Sequence, residues 1–147
     1  RLLLADEPTT ALDVTVQRQV LALIADLVER LGLTLVLISH DLGVIGAMCR
    51  RVVVTYAGSV VEDGPAYAVL EAPRHPYTSG LLAAVPDLER PEAVPRGIAG
   101  SIPSLRAPPP GCRFHPRCPL AMPVCREQAP ALEGDAHRTA CHAVSAA

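Results

Sequence analysis

Asp6 and Glu7 stand side by side directly after the apolar run Leu2-Leu3-Leu4-Ala5. Two carboxylates at the end of a strand can serve phosphoryl transfer. One holds Mg²⁺, usually through water, and the other orients or deprotonates the attacking water. In that scheme Asp6 is the metal-side acid and Glu7 the water-side base. Acids in such a place also have an ordinary use, because they cap the helix that follows. A second apolar run, Leu33–Ile38, closes on Ser39-His40-Asp41. Imidazole is a suitable hydrogen-bond partner for a terminal phosphate oxygen near neutral pH. A lone histidine at a strand end is more often a cap or a core residue, and its meaning here depends on whether it meets the acid pair.

A second group of reactive side chains lies near the other end. Cys112, Cys118, Cys125 and Cys141 are separated by five, six and fifteen residues. The segment around them is short and poor in large hydrophobes, so it needs a cross-link to be ordered. In a reducing compartment a metal is a better staple than a disulfide. Thiolates suit zinc or an iron–sulfur cluster. The spacing lacks the Cys-x₂-Cys pairs of structural zinc sites, whereas four cysteines can hold a [4Fe–4S] cluster. Zinc, with His115, His137 or His142 contributing, and metal-free cysteines are the alternatives. Arg113, Arg117, Arg126 and Arg138 are placed to offset the negative charge of a cluster. Cys49, in an apolar stretch, reads as a small buried hydrophobe.

The elements that would position these groups follow from pattern. Leu2–Ala5 and Leu33–Ile38 suit strands buried on both faces, as in a parallel sheet. Between them Asp13 is a plausible N-cap for a helix to about Leu31, with Val16, Val20, Leu23, Ile24, Leu27 and Leu31 on one face and Gly32 placed to end it. A strand–helix–strand unit crosses over right-handed and lays its strands parallel. Asp6, Glu7 and His40 then fall at the carboxyl edge of one sheet, where open α/β sheets bind ligands. Beyond them a helix is expected from Asp41 to about Cys49, then a hairpin of Arg51–Tyr56 and Ser59–Glu62 around Ala57-Gly58. Short helices are expected at Pro65–Glu71 and Thr78–Val85. Residues 86–110, rich in Pro, Gly, Ser and Arg, read as a linker or an extended surface-hugging segment.

The run Leu2-Leu3-Leu4-Ala5-Asp6-Glu7-Pro8-Thr9-Thr10-Ala11-Leu12-Asp13 resembles the Walker B strand and D-loop of ABC ATPases, and Ile38-Ser39-His40-Asp41 resembles their switch histidine. The resemblance implies a Mg²⁺ acid at Asp6, a catalytic glutamate at Glu7, a γ-phosphate contact at His40 and a contact to a partner's nucleotide site at Asp13. Further on, Val53–Gly64, His75-Pro76-Tyr77-Thr78 and Gly111–Pro119 with Cys125 and Cys141 resemble the oligopeptide/dipeptide importer subfamily. That subfamily implies a [4Fe–4S] cluster at the four cysteines. The fold class expected is thus α/β: a partial P-loop NTPase core of the ABC type over residues 1–85, a linker at 86–110, and an irregular Pro/Cys-rich extension over 111–147. ATP and Mg²⁺ are the implied ligands. The implied partners are a second ABC ATPase subunit, identical or different, and transmembrane permease subunits, at the cytoplasmic face of a bacterial inner membrane.

Composition narrows the alternatives. A net charge of −2 gives no electrostatic case for a nucleic-acid partner. Half of the residues are apolar but only 3% are aromatic, so an aliphatic core is expected. No apolar run reaches the ~18–20 residues that span a bilayer. The chain opens at Arg1 in an apolar strand and reads as a piece of a longer protein, from the Walker B strand onward. It contains no Gly-x-x-x-x-Gly-Lys-[Ser/Thr] loop, so by itself it is expected to bind ATP poorly. Two other readings are an ABC-type ATPase of DNA repair or chromosome structure, which would carry long heptad repeats, and a non-enzymatic metal-binding interaction module built on the cysteine tail.

Overall fold

A computed structural model describes residues 1–86 and 97–144. The chain forms two compact units, Arg1–Cys49 and Arg50–Ala147.

The first unit is the expected crossover. Strand β1 (Leu2–Asp6) pairs parallel with β2 (Thr34–Ile38), in register from Leu2↔Thr34 to Asp6↔Ile38. Helix α1 (Val14–Leu31) connects them. The Asp13 carboxylate starts it by accepting from the Thr15 and Val16 amides at 2.9 and 3.0 Å. Gly32 ends it in the left-handed conformation (φ 57°, ψ 46°), with its amide bonded to Glu29 O and the Leu33 amide to Val28 O. That pairing is a Schellman motif, whose turn glycine tolerates without a Cβ penalty. Helix α2 (Leu42–Met48) begins at Asp41, whose carboxylate caps the Gly43 and Val44 amides. Cys49 follows α2 as its half-exposed C-cap, rather than lying buried within the helix.

Two burial expectations are corrected. The strands are not buried on both faces. Leu3, Ala5, Leu35 and Leu37 are half-buried, while Leu2, Leu4, Val36 and Ile38 on the opposite face are exposed. Nor does the predicted stripe of α1 hold, since Leu23, Leu27 and Leu31 are exposed. The half-buried positions are Gln17, Val20, Leu21, Ile24 and Val28. A sheet of two strands presents little area, so it shields only a narrow stripe of an 18-residue helix.

The second unit is built on a hairpin. Strands β3 (Arg51–Tyr56) and β4 (Ser59–Pro65) pair antiparallel around Ala57-Gly58. Both turn residues have positive φ, 47° and 79°, as a two-residue hairpin turn that matches strand twist requires. A bulge at Val54/Thr55 interrupts the register. Helices α3 (Ala66–Glu71) and α4 (Pro76–Ala83) follow. Within the tail are a 3₁₀ turn (His115–Arg117), helix α5 (Val124–Glu127) and strand β5 (Arg138–Thr139). Strand β5 adds to β4, pairing Glu62 with Thr139 and Asp63 with Arg138. The tail is therefore not wholly irregular, because it completes a three-stranded sheet. Of the proposed linker, residues 87–96 lie outside the described part. Ile98 and Ala99 accept from the Arg117 guanidinium at 2.8 and 2.9 Å, so that stretch hugs its unit.

The buried core of this unit is largely aliphatic, as expected, with Val52, Val54, Val61 and Val69 in it, and an aromatic cluster is set beside them. Tyr56, Tyr77 and Phe114 meet with ring centroids 4.6–5.4 Å apart. Three of the chain's four aromatic residues thus gather at one point, in the tilted and edge-on arrangements that aromatic quadrupoles favour. Two buried carboxylates, Glu62 and Asp63, belong to the same unit. Glu62 accepts from the Arg74 and His75 amides at 2.7 and 3.1 Å, and its Oε1 lies 2.7 Å from His137 Nε2. Asp63 is clasped by Arg51 and Arg138. Buried charge is tolerated when it is paired in this way.

His75 caps α4, its Nδ1 accepting from the Tyr77 amide at 3.0 Å. Burial pushes its pKa down to about 4, against a weaker upward pull from Glu62. The unfolded chain takes up this proton near pH 6.5. Unfolding therefore binds a proton between those values, and stability is lost as pH falls from about 6.5 toward 4, by on the order of 3 kcal/mol in full. His75→Asn keeps a capping oxygen but does not titrate. The stability gap between wild type and variant, read by urea denaturation, should narrow as pH falls from 7 to 4.5. A gap independent of pH would contradict the buried, neutral ring.

Candidate active site

The parallel register of β1 and β2 decides what meets at their ends. Asp6 lies opposite Ile38 as the last residue of β1. The Glu7 amide extends the ladder by one rung, donating to Ile38 O at 2.9 Å. Glu7 then turns the chain through a positive φ of 48°. Two successive turns follow, with the Thr10 amide donating to Glu7 O at 3.2 Å and the Leu12 amide to Thr9 O at 3.3 Å. A non-glycine residue with positive φ is uncommon, and two of them, Glu7 and Ala11 (φ 63°), sit within this loop. On the other strand, Ser39 Oγ accepts from the Asp41 amide at 3.1 Å, and Asp41 is fixed as the α2 cap. His40 is thus held between two anchored neighbours.

His40 Nδ1 lies 2.9 Å from Glu7 Oε1. An ionised carboxylate can only accept, so Nδ1 carries the proton and Nε2 is left for another partner. The hydrogen bond from His40, helped by one from Thr10, holds Glu7 below the ordinary carboxylate range. Reciprocally, the bond to Glu7 and its negative charge raise the His40 pKa. A ring that donates from Nδ1 can donate from Nε2 as well only when it is protonated, and Glu7 favours that state. The His40 side chain is 79% exposed and that of Glu7 38%, so a ligand has access to both.

The structure therefore brings Glu7 and His40 into contact and sets Asp6 on the same edge. Asp13 acts as the α1 cap, at the far end of the loop that begins with Glu7. Thr10 was not singled out by motif or composition, yet its hydroxyl donates to Glu7 Oε2 at 2.8 Å. The signal that could have found it is a hydroxyl three residues after an acid in a turn-rich segment. An apolar hollow between α1 and α2, lined by Val14, Leu21, Ala22, Ala25, Ala47 and Met48, contains neither the acids nor the histidine.

In the second unit the tail brings the backbones of Cys112 and Cys125 together. The Cys112 amide donates to Cys125 O at 2.9 Å. Gly111 makes this approach possible: its φ is +66°, and a Cβ there would lie 2.5 Å from Cys125 O. Cys118 follows the 3₁₀ turn, Cys125 lies in α5 and Cys141 comes just after β5. Burial raises the thiol pKa of Cys112, and the charges of Cys125 and Cys141 push it the same way. Burial likewise raises Cys118, with Cys141, Cys112 and Cys125 adding to it. None of the four is in a disulfide. Among the described residues no three His, Cys, Asp or Glu side chains converge as ligands of one ion.

The histidines and arginines of the tail have other work. His115 Nδ1 bonds to Cys112 O, His137 Nε2 to Glu62 and His142 Nε2 to Gln128 O. Arg113 donates to Ala57 O. Arg117 lies over the Tyr56 ring and bonds to the hydroxyl of Tyr56, and Arg138 is bound to Asp63. Three of the four expected arginines staple the tail to the hairpin or to residues 98–99: Arg113 and Arg117 do so through neutral acceptors and keep their charge, whereas Arg138 is ion-paired with Asp63. Guanidinium forks suit that task, because several donors leave one planar group.

Residues 61–125 match the family model described as "Oligopeptide/dipeptide transporter, C-terminal region". The chain is 49% identical over 144 residues to the "Probable peptide ABC transporter ATP-binding protein y4tR" of Sinorhizobium fredii, an alignment covering 95% of this chain and 43% of that protein. It is 44% identical over 144 residues to the dipeptide transport ATP-binding protein DppD of Escherichia coli, covering 97% and 44%. With the oligopeptide transport ATP-binding protein AppD of Bacillus subtilis it shares 48% identity over 132 residues, covering 90% and 40%. The chain spans less than half the length of these relatives.

Proposed function

We propose, on the premise that this chain belongs with the ATP-binding subunits of oligopeptide/dipeptide ABC transporters, that it supplies part of the ATP-hydrolysing site that powers peptide import. The observation that carries this reading is the 2.9 Å contact between His40 and Glu7 at the edge where Asp6 also ends. Phosphoryl transfer needs little covalent chemistry from the protein. It needs positioned charge and a positioned water. ATP is the substrate. Asp6 is the residue to hold Mg²⁺, which supplies charge neutralisation at the phosphates. Glu7 orients the attacking water and accepts its proton. His40, whose protonated form the bond to Glu7 favours, is the residue to donate Nε2–H to a γ-phosphate oxygen. Asp13, on the α1 cap, is placed on the loop that would reach a second subunit's nucleotide site.

In this proposal residues 1–85 are the C-terminal part of the ABC ATPase domain, 86–110 a connecting segment and 111–147 the four-cysteine region of peptide importers. The partners are a second ATPase subunit, identical or different, and transmembrane permeases, at the cytoplasmic face of the inner membrane. Among the described residues no helix is long and apolar enough to cross a bilayer. The printed functions of the relatives favour this reading over DNA repair or an isolated metal-binding module. For the tail we favour a [4Fe–4S] cluster on Cys112, Cys118, Cys125 and Cys141, with zinc as the alternative. Its support is the chemistry of four thiols in one short segment, while the nearby histidines each have a nitrogen already engaged. The described side chains do not themselves converge as ligands of one ion, so loading would have to draw them together.

Two outcomes are expected. In the ATPase subunit that carries this sequence, Glu7→Gln should keep nucleotide binding while hydrolysis falls by ~10²–10⁴, the usual range for loss of a general base. Turnover at the wild-type rate would remove Glu7 from the chemistry. Anaerobic purification should give a coloured protein with visible absorption and about four irons per chain. A colourless protein with stoichiometric zinc would overturn the cluster assignment.

A further inference from the structure

The Glu7 carboxylate is held at both oxygens. His40 Nδ1 meets Oε1 at 2.9 Å, and the Thr10 hydroxyl meets Oε2 at 2.8 Å. Its backbone is tied as well, through the amide bond to Ile38 O and the acceptance of the Thr10 amide. The terminal torsion of a glutamate is otherwise broad, so one hydrogen bond leaves the carboxylate plane free to rock. Donors on both oxygens fix that plane. Each oxygen keeps a further lone-pair site, so a water can still be accepted. The cost is visible in the backbone: to fold Thr10 back toward Glu7, the loop places Glu7 and Ala11 in the left-handed region.

We propose that Thr10 is a positioning residue for hydrolysis, its hydroxyl fixing the plane of the Glu7 carboxylate against the attacking water. Because Thr10 lies between Glu7 and the α1 cap Asp13, the same bond ties that plane to the conformation of the loop. A change in the loop that withdraws Thr10 releases Oε2 and leaves Glu7 on His40 alone. This inference rests on Glu7 acting on the water, as proposed above. A turn-stabilising hydroxyl with no part in the reaction would behave differently in the following test.

ATP turnover is measured in the assembled subunit for wild type, Thr10→Val, Thr10→Ser, Glu7→Gln and the Thr10→Val/Glu7→Gln double variant. Valine keeps the shape and removes the donor, while serine restores the donor. Loss of orientation should lower kcat in Thr10→Val by about 10- to 100-fold, with KM for ATP changed by less than about twofold. Thr10→Ser should recover most of the rate, and Thr10→Val should slow Glu7→Gln no further. Thr10→Ala gives the same readings should valine disturb assembly. Wild-type kcat in the donor-less variants, a serine variant as slow as valine, or an additive loss in the double variant would each overturn the proposal. Full turnover by Glu7→Gln would instead overturn the role of Glu7 itself.

Discussion

The in-register parallel pairing of β1 and β2 is the constraint on which the candidate site depends. With Asp6 level with Ile38, the next residue of the first strand and the second residue beyond the other strand come within hydrogen-bond reach. A slip of one residue would send every side chain of the strand to the opposite face and separate Glu7 from His40. The register is secured at both ends: the Thr34 amide bonds to Arg1 O, and the Glu7 amide to Ile38 O. The turns that leave each strand are in turn fixed by Asp13 and Asp41 as helix caps. Chemistry at this edge is therefore a consequence of backbone pairing, with side-chain bonds refining it.

A different device organises the second unit. Glu62 and Asp63 occupy adjacent positions on β4, both buried, and each recruits a residue from β5 or just before it. A paired carboxylate inside a protein is costly to leave alone, so the tail cannot leave the hairpin without exposing two charges to an unfavourable setting. Arg113 and Arg117 make the same attachment from the Cys112–Cys118 loop. The four cysteines thus sit on a scaffold that is already bonded to the hairpin. The compact division of the chain falls after Cys49, earlier than the composition changes near 85 and 110, because these bonds link hairpin and tail.

Local punctuation was well legible in the sequence. Asp13, Gly32 and the Ala57-Gly58 turn each have one strong backbone preference, and all three lie where that preference places them. The meeting of Glu7 and His40 followed from a rule of handedness and needed no tertiary detail. What was not legible depends on who covers whom. The apolar runs of β1 and β2 look the same in sequence whether one face or two are shielded, so their exposed face was missed. The aliphatic core is legible in the composition, but the aromatic cluster is not, because a 3% fraction says nothing of where Tyr56, Tyr77 and Phe114 converge. Thr10 escaped because a hydroxyl in a turn is common, and only the folded loop shows which acid it reaches.

The contact between Glu7 and His40 is most directly tested by following the His40 ring resonances with pH in wild type and in Glu7→Gln. An ionised Glu7 bonded to Nδ1 raises the His40 midpoint, so the variant should titrate at lower pH. Identical midpoints in the two proteins would mean that the side chains do not meet in solution, and the proposed nucleotide site would lose its basis.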